Sequence, residues 1–251
     1  MLTLSFRRRW AGALMMIGAL AMPCATQAVP QEKPMARPPS PAQLLYKARA
    51  DVRGMRLDGE SRIDWQHDSR RYQLTLETRT ALTGVLLQEK SEGGLDRTGL
   101  VPDTFSTRRF LKPPSVTRFD REAGEIDFAG EGNTHALAGG EQDRISVLWQ
   151  LVAMMRARPA AFTAGSRWDF FVAGQRDGDP WTFEVKSRQK LRSPLGELDT
   201  LHVVQVPDEG ARKTRVDVWF APSQEWLPVR IRFSEANGDF IEQSLERITR
   251  P

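Results

Sequence analysis

The chain has 251 residues, 40% of them hydrophobic and 27% charged, with 19 Gly, 16 Pro and one Cys. These proportions belong to a globular protein of one or at most two domains and exclude a wholly disordered chain. One Cys and three scattered His (His67, His135 and His202) supply neither a disulfide framework nor a structural zinc site.

Arg7, Arg8 and Arg9 precede an apolar run from Trp10 to Met22, and small residues lead from there to Ala28. This is the order of a secretory signal peptide, so residues 1–28 are expected to be removed and the mature protein to reside in the periplasm. A retained anchor fits less well. The strongly apolar part is shorter than the ~20 residues of a spanning helix and is interrupted by Gly12 and Gly18, and Pro23 before Cys24 is a poor lipoprotein signal. No transmembrane segment is expected in the mature chain. The signal carries three Arg and no acidic residue, so its removal lowers the net charge from +4 to +1. With the remaining charges interspersed, no nucleic-acid partner is expected.

Residues 29–43 carry prolines at 30, 34, 38, 39 and 41 and read as a Pro-rich linker, followed by a single β-rich domain over 44–251. Period-two alternation starts at Leu44, Tyr46, Ala48, Ala50 and Val52. After the turn at Arg53-Gly54 it resumes through Ile63 and Trp65, then through Tyr72, Leu74 and Leu76. Val85–Glu92, Phe105–Phe110 and Val116–Phe119 continue it, and a Gly-rich stretch over 129–140 breaks it. Beyond that stretch, six more strands are predicted from Trp168 to Ile248. Asn237-Gly238 between the last two is the strongest hairpin signal in the chain.

One segment has a helical period. Ile145, Leu148, Trp149, Val152 and Met155 recur at spacings of three and four, Asp143 is a suitable N-cap, and Arg156, Arg158 and Pro159 close a helix over about 143–157. Val147, Leu151 and Met154 widen its apolar face, so the helix must be largely covered. A mainly β fold follows: a curved antiparallel sheet or barrel of about a dozen strands with one principal α-helix packed on its side or across its mouth.

Chemical motifs are few. There is no phosphate loop and no nucleophile elbow, and Gly130-Glu131-Gly132 lacks the setting of a dinucleotide site. Asp177 and Asp179 lack the later ligands of a calcium loop and read as a turn. No serine or cysteine is placed by motif against His67, and neither His135 nor His202 has a ligand-like neighbour in sequence. No catalytic residue, metal or cofactor is assigned. Leu148, Trp149, Val152, Met155, Trp168 and Phe170 are the candidate ligand-binding residues, because apolar side chains of this kind line greasy cavities as readily as they fill cores.

The helix start Asp143-Arg144-Ile145-Ser146-Val147-Leu148-Trp149-Gln150-Leu151 and the segment Ser193-Pro194-Leu195-Gly196-Glu197-Leu198-Asp199-Thr200-Leu201 carry a family resemblance. So does the run Val218-Trp219-Phe220-Ala221-Pro222 with Leu227-Pro228-Val229-Arg230-Ile231 and Gly238. Together they resemble the family known as domain of unknown function 3108, over about residues 44–248. The resemblance implies an exported β-rich protein of Gram-negative bacteria and no catalytic residue. In architecture alone, the expected fold is similar to periplasmic lipoprotein carriers. The function expected is the binding of a lipid or other apolar or amphiphilic envelope component between the sheet and the 143–157 helix. An adaptor that pairs with another envelope protein through a sheet edge comes second, and a hydrolase without a recognisable motif third.

Overall fold

A computed structural model describes residues 35–81, 83–128, 133–206 and 214–251. The predicted signal peptide (1–28) and the first part of the predicted linker (29–34) lie outside the described residues. Alternating side chains make strands of most of the chain. β1 (Ala42–Val52), β2 (Met55–His67), β3 (Arg71–Thr80), β4 (Gly84–Asp96), β5 (Gly99–Arg109), β6 (Ser115–Asp120), β7 (Glu125–Phe128), β8 (Thr134–Ala136) and β9 (Gln142–Asp143) precede helix α1 (Ser146–Ala157). β10 (Arg167–Ala173), β11 (Gly178–Ser193), β12 (Gly196–Val206), β13 (Arg215–Ala221), β14 (Leu227–Ser234) and β15 (Phe240–Thr249) follow it. Among the described residues no helix is long and apolar enough to cross a membrane.

All fifteen strands of the described residues join one sheet, in the order β8-β7-β6-β5-β4-β3-β2-β1-β15-β14-β13-β12-β11-β10-β9. Neighbours are antiparallel except β9 and β10, which pair in parallel through Gln142 with Val172 and Asp143 with Ala173. The three strands beyond the predicted dozen are β7, β8 and β9, of four, three and two residues, too short for alternation to be read. The sheet is curved and not closed. Its two ends meet through side chains instead of a ladder: Thr117 Oγ1 on β6 donates to Gly174 O just past β10 (2.8 Å), and His135 on β8 stacks on Phe171 of β10 with ring centroids 3.6 Å apart.

Antiparallel order puts the β1–β2, β3–β4, β5–β6 and β14–β15 turns at one end of the sheet, the upper end, and the β2–β3, β4–β5 and β13–β14 turns at the lower. The turn predicted at Asn237-Gly238 is present, with Gly238 at φ +94° and its N–H donating to Glu235 O.

α1 fills the curve of the sheet. Ile145, Trp149 and Ala153 recur every four residues and enter one core cluster with Leu44, Tyr46, Trp65, Leu74 and Phe105. Val147, Leu151 and Met155 have the same spacing two positions on, about 200° around the helix, and enter a second cluster with Phe183, Val203, Val218 and Phe220. Two opposite faces of one helix therefore meet two walls of one sheet, and this is what encloses so apolar a segment. A third face is tied to the lower end. Gln150 Oε1 accepts the Leu100 N–H and its Nε2 donates to Thr98 O, both at 2.8 Å. Between those residues Gly99 sits at φ +127°, where a Cβ would collide with the Gln150 carboxamide.

The helix begins at Ser146, three residues later than the predicted N-cap. Asp143 supplies capping chemistry from that distance: its Oδ1 accepts the N–H groups of Ile145 (3.0 Å) and Ser146 (2.8 Å), and Ser146 Oγ accepts the Asp143 N–H (2.8 Å). Residues 36–39, predicted as linker, are held on the domain. The Ala36 N–H donates to Arg97 O, the Arg37 N–H to Ala153 O, and Trp65 Nε1 to Pro39 O, while His67 Nε2 lies 3.0 Å from the same oxygen. Proline lacks an N–H but keeps its carbonyl as an acceptor.

Trp149 is 1% exposed, its ring 6.1 Å from that of Trp65. Trp149→Ala is expected to cost about 3–5 kcal/mol in urea unfolding, and Leu148→Ala, half-buried on the helix face between the two clusters, under about 2 kcal/mol. Equal costs would show that α1 is not enclosed in this way.

Candidate functional site

From Glu141 to Ala153 every residue is buried except Arg144 and Leu148, four positions apart. Leu148 lies about 200° around the helix from Gln150, which is bonded to the lower end. Leu148 therefore faces the upper end, where it packs against both clusters and forms, with Arg144, the floor of an opening.

Strand register builds one wall of that opening. Leu57 of β2 pairs with Ala50 of β1, Ala50 with Ile241 of β15, Ile241 with Phe233 of β14, and Phe233 with Val216 of β13. The row continues through Gln205 and Phe183 to Trp168. Paired residues share a face of the sheet, and here it is the face that α1 covers, since Phe183 and Val216 pack on the helix residues of the second cluster. Burial falls along the row. Phe183 is fully buried and Val216 nearly so, Phe233 is half-buried, and Ile241 and Leu57 are 43% and 40% exposed. The helix-covered apolar face thus runs past the helix and becomes partly exposed toward the upper end.

The neighbouring wall, on β3 to β6, is polar. Leu76, Glu89, Thr107 and Ser115 form one cross-strand row, and Thr78, Leu87 and Arg109 the row above it. Glu89 is buried, yet no described residue hydrogen-bonds its carboxylate, and the Thr107 Oγ1 paired with it also lacks a partner. Burial raises the Glu89 carboxyl to about 7; Arg144 and Arg109 pull it down, and the Asp143 charge pushes it up. Asp143 is fully buried, and that burial raises it to about 6 against the hydrogen bonds it accepts. Ser91 Oγ donates to Asp143 Oδ2 (2.5 Å), so the Tyr72 hydroxyl, 2.8 Å from Ser91 Oγ, donates to Ser91. This chain of hydrogen bonds fixes the start of α1, and with it Arg144, against β3 and β4.

Five of the six sequence-derived candidates come together. Leu148, Val152, Met155, Trp168 and Phe170 share the second cluster, with Trp168 stacked on Phe162 (4.5 Å) and Phe170 edge-on to Phe183 (6.1 Å). Trp149 belongs to the first cluster, although Leu148 touches both. Glu89, Arg109, Arg144, Leu57, Phe233 and Ile241 escape the sequence reading. The usable signal is Glu89, which stands between Leu87 and Ser91 at an inward position of its strand, where a carboxylate needs a reason.

On the outward face His202 Nε2 lies 2.7 Å from Asp217 Oδ1, which also takes a 2.7 Å hydrogen bond from Arg215, and the His202 ring stacks on Trp219. Burial works against the Asp217 charge, but the His202 and Arg215 hydrogen bonds hold its carboxyl below the usual range. Sequence spacing does not reveal this pair, since the partners sit on different strands. No hydroxyl among the described residues hydrogen-bonds the other ring nitrogen, so the group acts as a cross-strand brace. A depression of about 440 Å³ between Lys47, Asp58, Glu60, Arg79 and Glu246 mixes charges of both signs and is a solvated groove.

The pH dependence of stability tests the polar wall. A carboxyl whose folded value lies above its ordinary one favours the folded state at low pH, and that contribution is lost as pH rises from about 4.5 through about 7. Glu89→Gln is therefore expected to unfold like the wild type at pH 4 and to be more stable at pH 8.5, by on the order of 2–3 kcal/mol. A difference independent of pH would show that Glu89 is not desolvated.

The chain is similar to solved structures of other proteins, and the first of these shares its fold. A β-barrel-like protein of domain of unknown function DUF1849 from Brucella abortus superposes with a TM-score of 0.56 at 11% identity, over 85% of this chain and 98% of that one. A protein assigned as exported, with a YmcC-like fold, from Bacteroides fragilis covers 86% of this chain and 100% of its own at 12% identity, with a TM-score of 0.39. An outer membrane lipoprotein-sorting protein domain, so assigned, from Vibrio parahaemolyticus gives 0.32 at 8% identity, over 84% and 85% of the two chains. No curated protein matches the chain. The model of one family, described as "Protein of unknown function (DUF3108)", matches residues 46–246, from within β1 to within β15, and the chain belongs to that family.

Proposed function

We propose that this is an exported protein of the cell envelope that binds an amphiphile with an anionic head at the upper end of its sheet. The observation that carries the reading is the emergence of the helix-covered apolar face, partly exposed, beside a polar wall with two guanidinium groups. An apolar tail lies along Leu57, Ile241 and Phe233 above Leu148, and removes those side chains from water. A carboxylate or phosphate head turns to Arg144 and Arg109, which present donors suited to planar or tetrahedral oxyanions. Trp149, Val152 and Met155, with Trp168 and Phe170, form the packed body beneath the tail. The protein acts by binding and needs no cofactor. Export and a periplasmic location rest on the Arg7–Ala28 pattern.

Titration with a fluorescent fatty acid below its critical micelle concentration tests this. The wild type is expected to bind saturably at micromolar concentration. Ile241→Asp and Leu57→Asp, at positions already partly in water, are expected to weaken binding at least tenfold while the melting temperature stays nearly constant. Arg144→Ala is expected to weaken the fatty acid more than its uncharged amide. Absence of saturable binding, or equal affinity in all variants, would overturn the reading.

A further inference from the structure

Of the six large exposed apolar side chains among the described residues, five are at the upper end and the sixth, Met35, precedes β1. Met55, Leu57, Phe110, Leu111 and Ile241 all belong to its turns and strand ends, with Leu111 84%, Met55 59% and Phe110 47% exposed. Scattered apolar side chains on a surface need no explanation, but a group at one end does.

Phe110 and Leu111 make the tip of the β5–β6 hairpin. The loop is pinned, with the Phe110 N–H donating to Leu86 O (2.8 Å) and the Lys112 N–H to Arg109 O (3.1 Å), and Pro113-Pro114 stiffens its exit. Leu111 sits at φ +56°, a left-handed conformation that suits glycine or asparagine, and it buries little. Neither backbone preference nor core packing accounts for leucine there. The charge of the hairpin itself is one-sided: between Asp103 and Asp120 there is no acidic residue, while Arg108, Arg109, Lys112 and Arg118 are cationic. Across β3 and β4, about 15 Å away at three strand spacings, a second exposed apolar side chain, Met55, stands at the β1–β2 tip, where Arg56 pairs with Asp51 (3.8 Å) and Asp239 accepts the Arg53 N–H (2.9 Å), so the cationic face is that of the β5–β6 hairpin.

We propose that the upper end docks on an anionic lipid bilayer, with Phe110 and Leu111 inserted between headgroups and Arg108 and Lys112 resting on the phosphates. Apolar tips flanked by cations are the pattern of interfacial membrane binding, in which apolar burial and attraction to anionic lipid act together. The inference rests on the amphiphile-binding reading for its purpose, since it sets the mouth of the proposed site against the surface from which an amphiphile would be drawn. Phe110 and Leu111 stand outside that site, so the two readings are tested separately.

Flotation of the full mature chain with vesicles of phosphatidylcholine alone, or with 30% phosphatidylglycerol, reads the docking directly. The wild type is expected to float at least tenfold more with the anionic vesicles and to lose most of that advantage in 500 mM salt. Phe110→Ser/Leu111→Ser and Arg108→Glu/Lys112→Glu are each expected to lose binding at least tenfold, with wild-type melting temperatures because all four side chains are exposed. Phe110→Ser/Leu111→Ser is further expected to keep wild-type affinity for the soluble fatty acid probe. A wild type that ignores anionic vesicles, or folded variants that float as well as it does, would overturn the docking and leave the amphiphile reading standing. Vesicle binding without any probe binding would instead overturn the amphiphile reading and keep the docking.

Discussion

A twelve-residue helix with apolar side chains on opposite faces has to be enclosed, and the architecture follows from that constraint. Ile145, Trp149 and Ala153 require one wall, and Val147, Leu151 and Met155 require another on the far side. One long sheet curled around the helix supplies both. Gln150 ties a third face to the lower end, which leaves Arg144 and Leu148 half-buried and facing the upper end. The opening is thus the direction in which the described residues cover the helix least, and it needs no separate device to create it.

The polar wall works against stability. Glu89, buried with no hydrogen-bond partner among the described residues and beside the unpartnered Thr107 hydroxyl, is costly where an apolar pair would pack without penalty. Asp143 also pays for burial, but three hydrogen bonds and the placement of the helix start explain it. Glu89 has no such structural return. In the proposed reading it belongs to the environment of the headgroup, where its carboxyl, raised by burial into the neutral range, gives up its charge readily and leaves Arg109 and Arg144 to set the local field.

Much of the fold was legible in the sequence because it is written in local periods. The strands with five or more alternating residues, the Asn237-Gly238 turn and the helix are all read from neighbours within a few positions. β7, β8 and β9 were not, since two to four residues cannot display a period. The candidate site was legible only in part. Leu148 falls on the helix face that periodicity singles out, but the row from Leu57 through Ala50 and Ile241 to Phe233 exists only because β15 returns to pair with β1 across nearly the whole domain. No local signal specifies that register. The position of Asp217 against His202 is hidden for the same reason.

Photocrosslinking with a fatty acid carrying a diazirine in its tail, followed by peptide mapping, tests most directly whether the opening is a binding site. The account predicts adducts on peptides containing Leu57, Leu148, Phe233 and Ile241 that are suppressed by an excess of unlabelled fatty acid. Adducts confined to the outward face, around Trp219 or the groove at Lys47 and Glu246, or adducts that unlabelled fatty acid does not suppress, would contradict it.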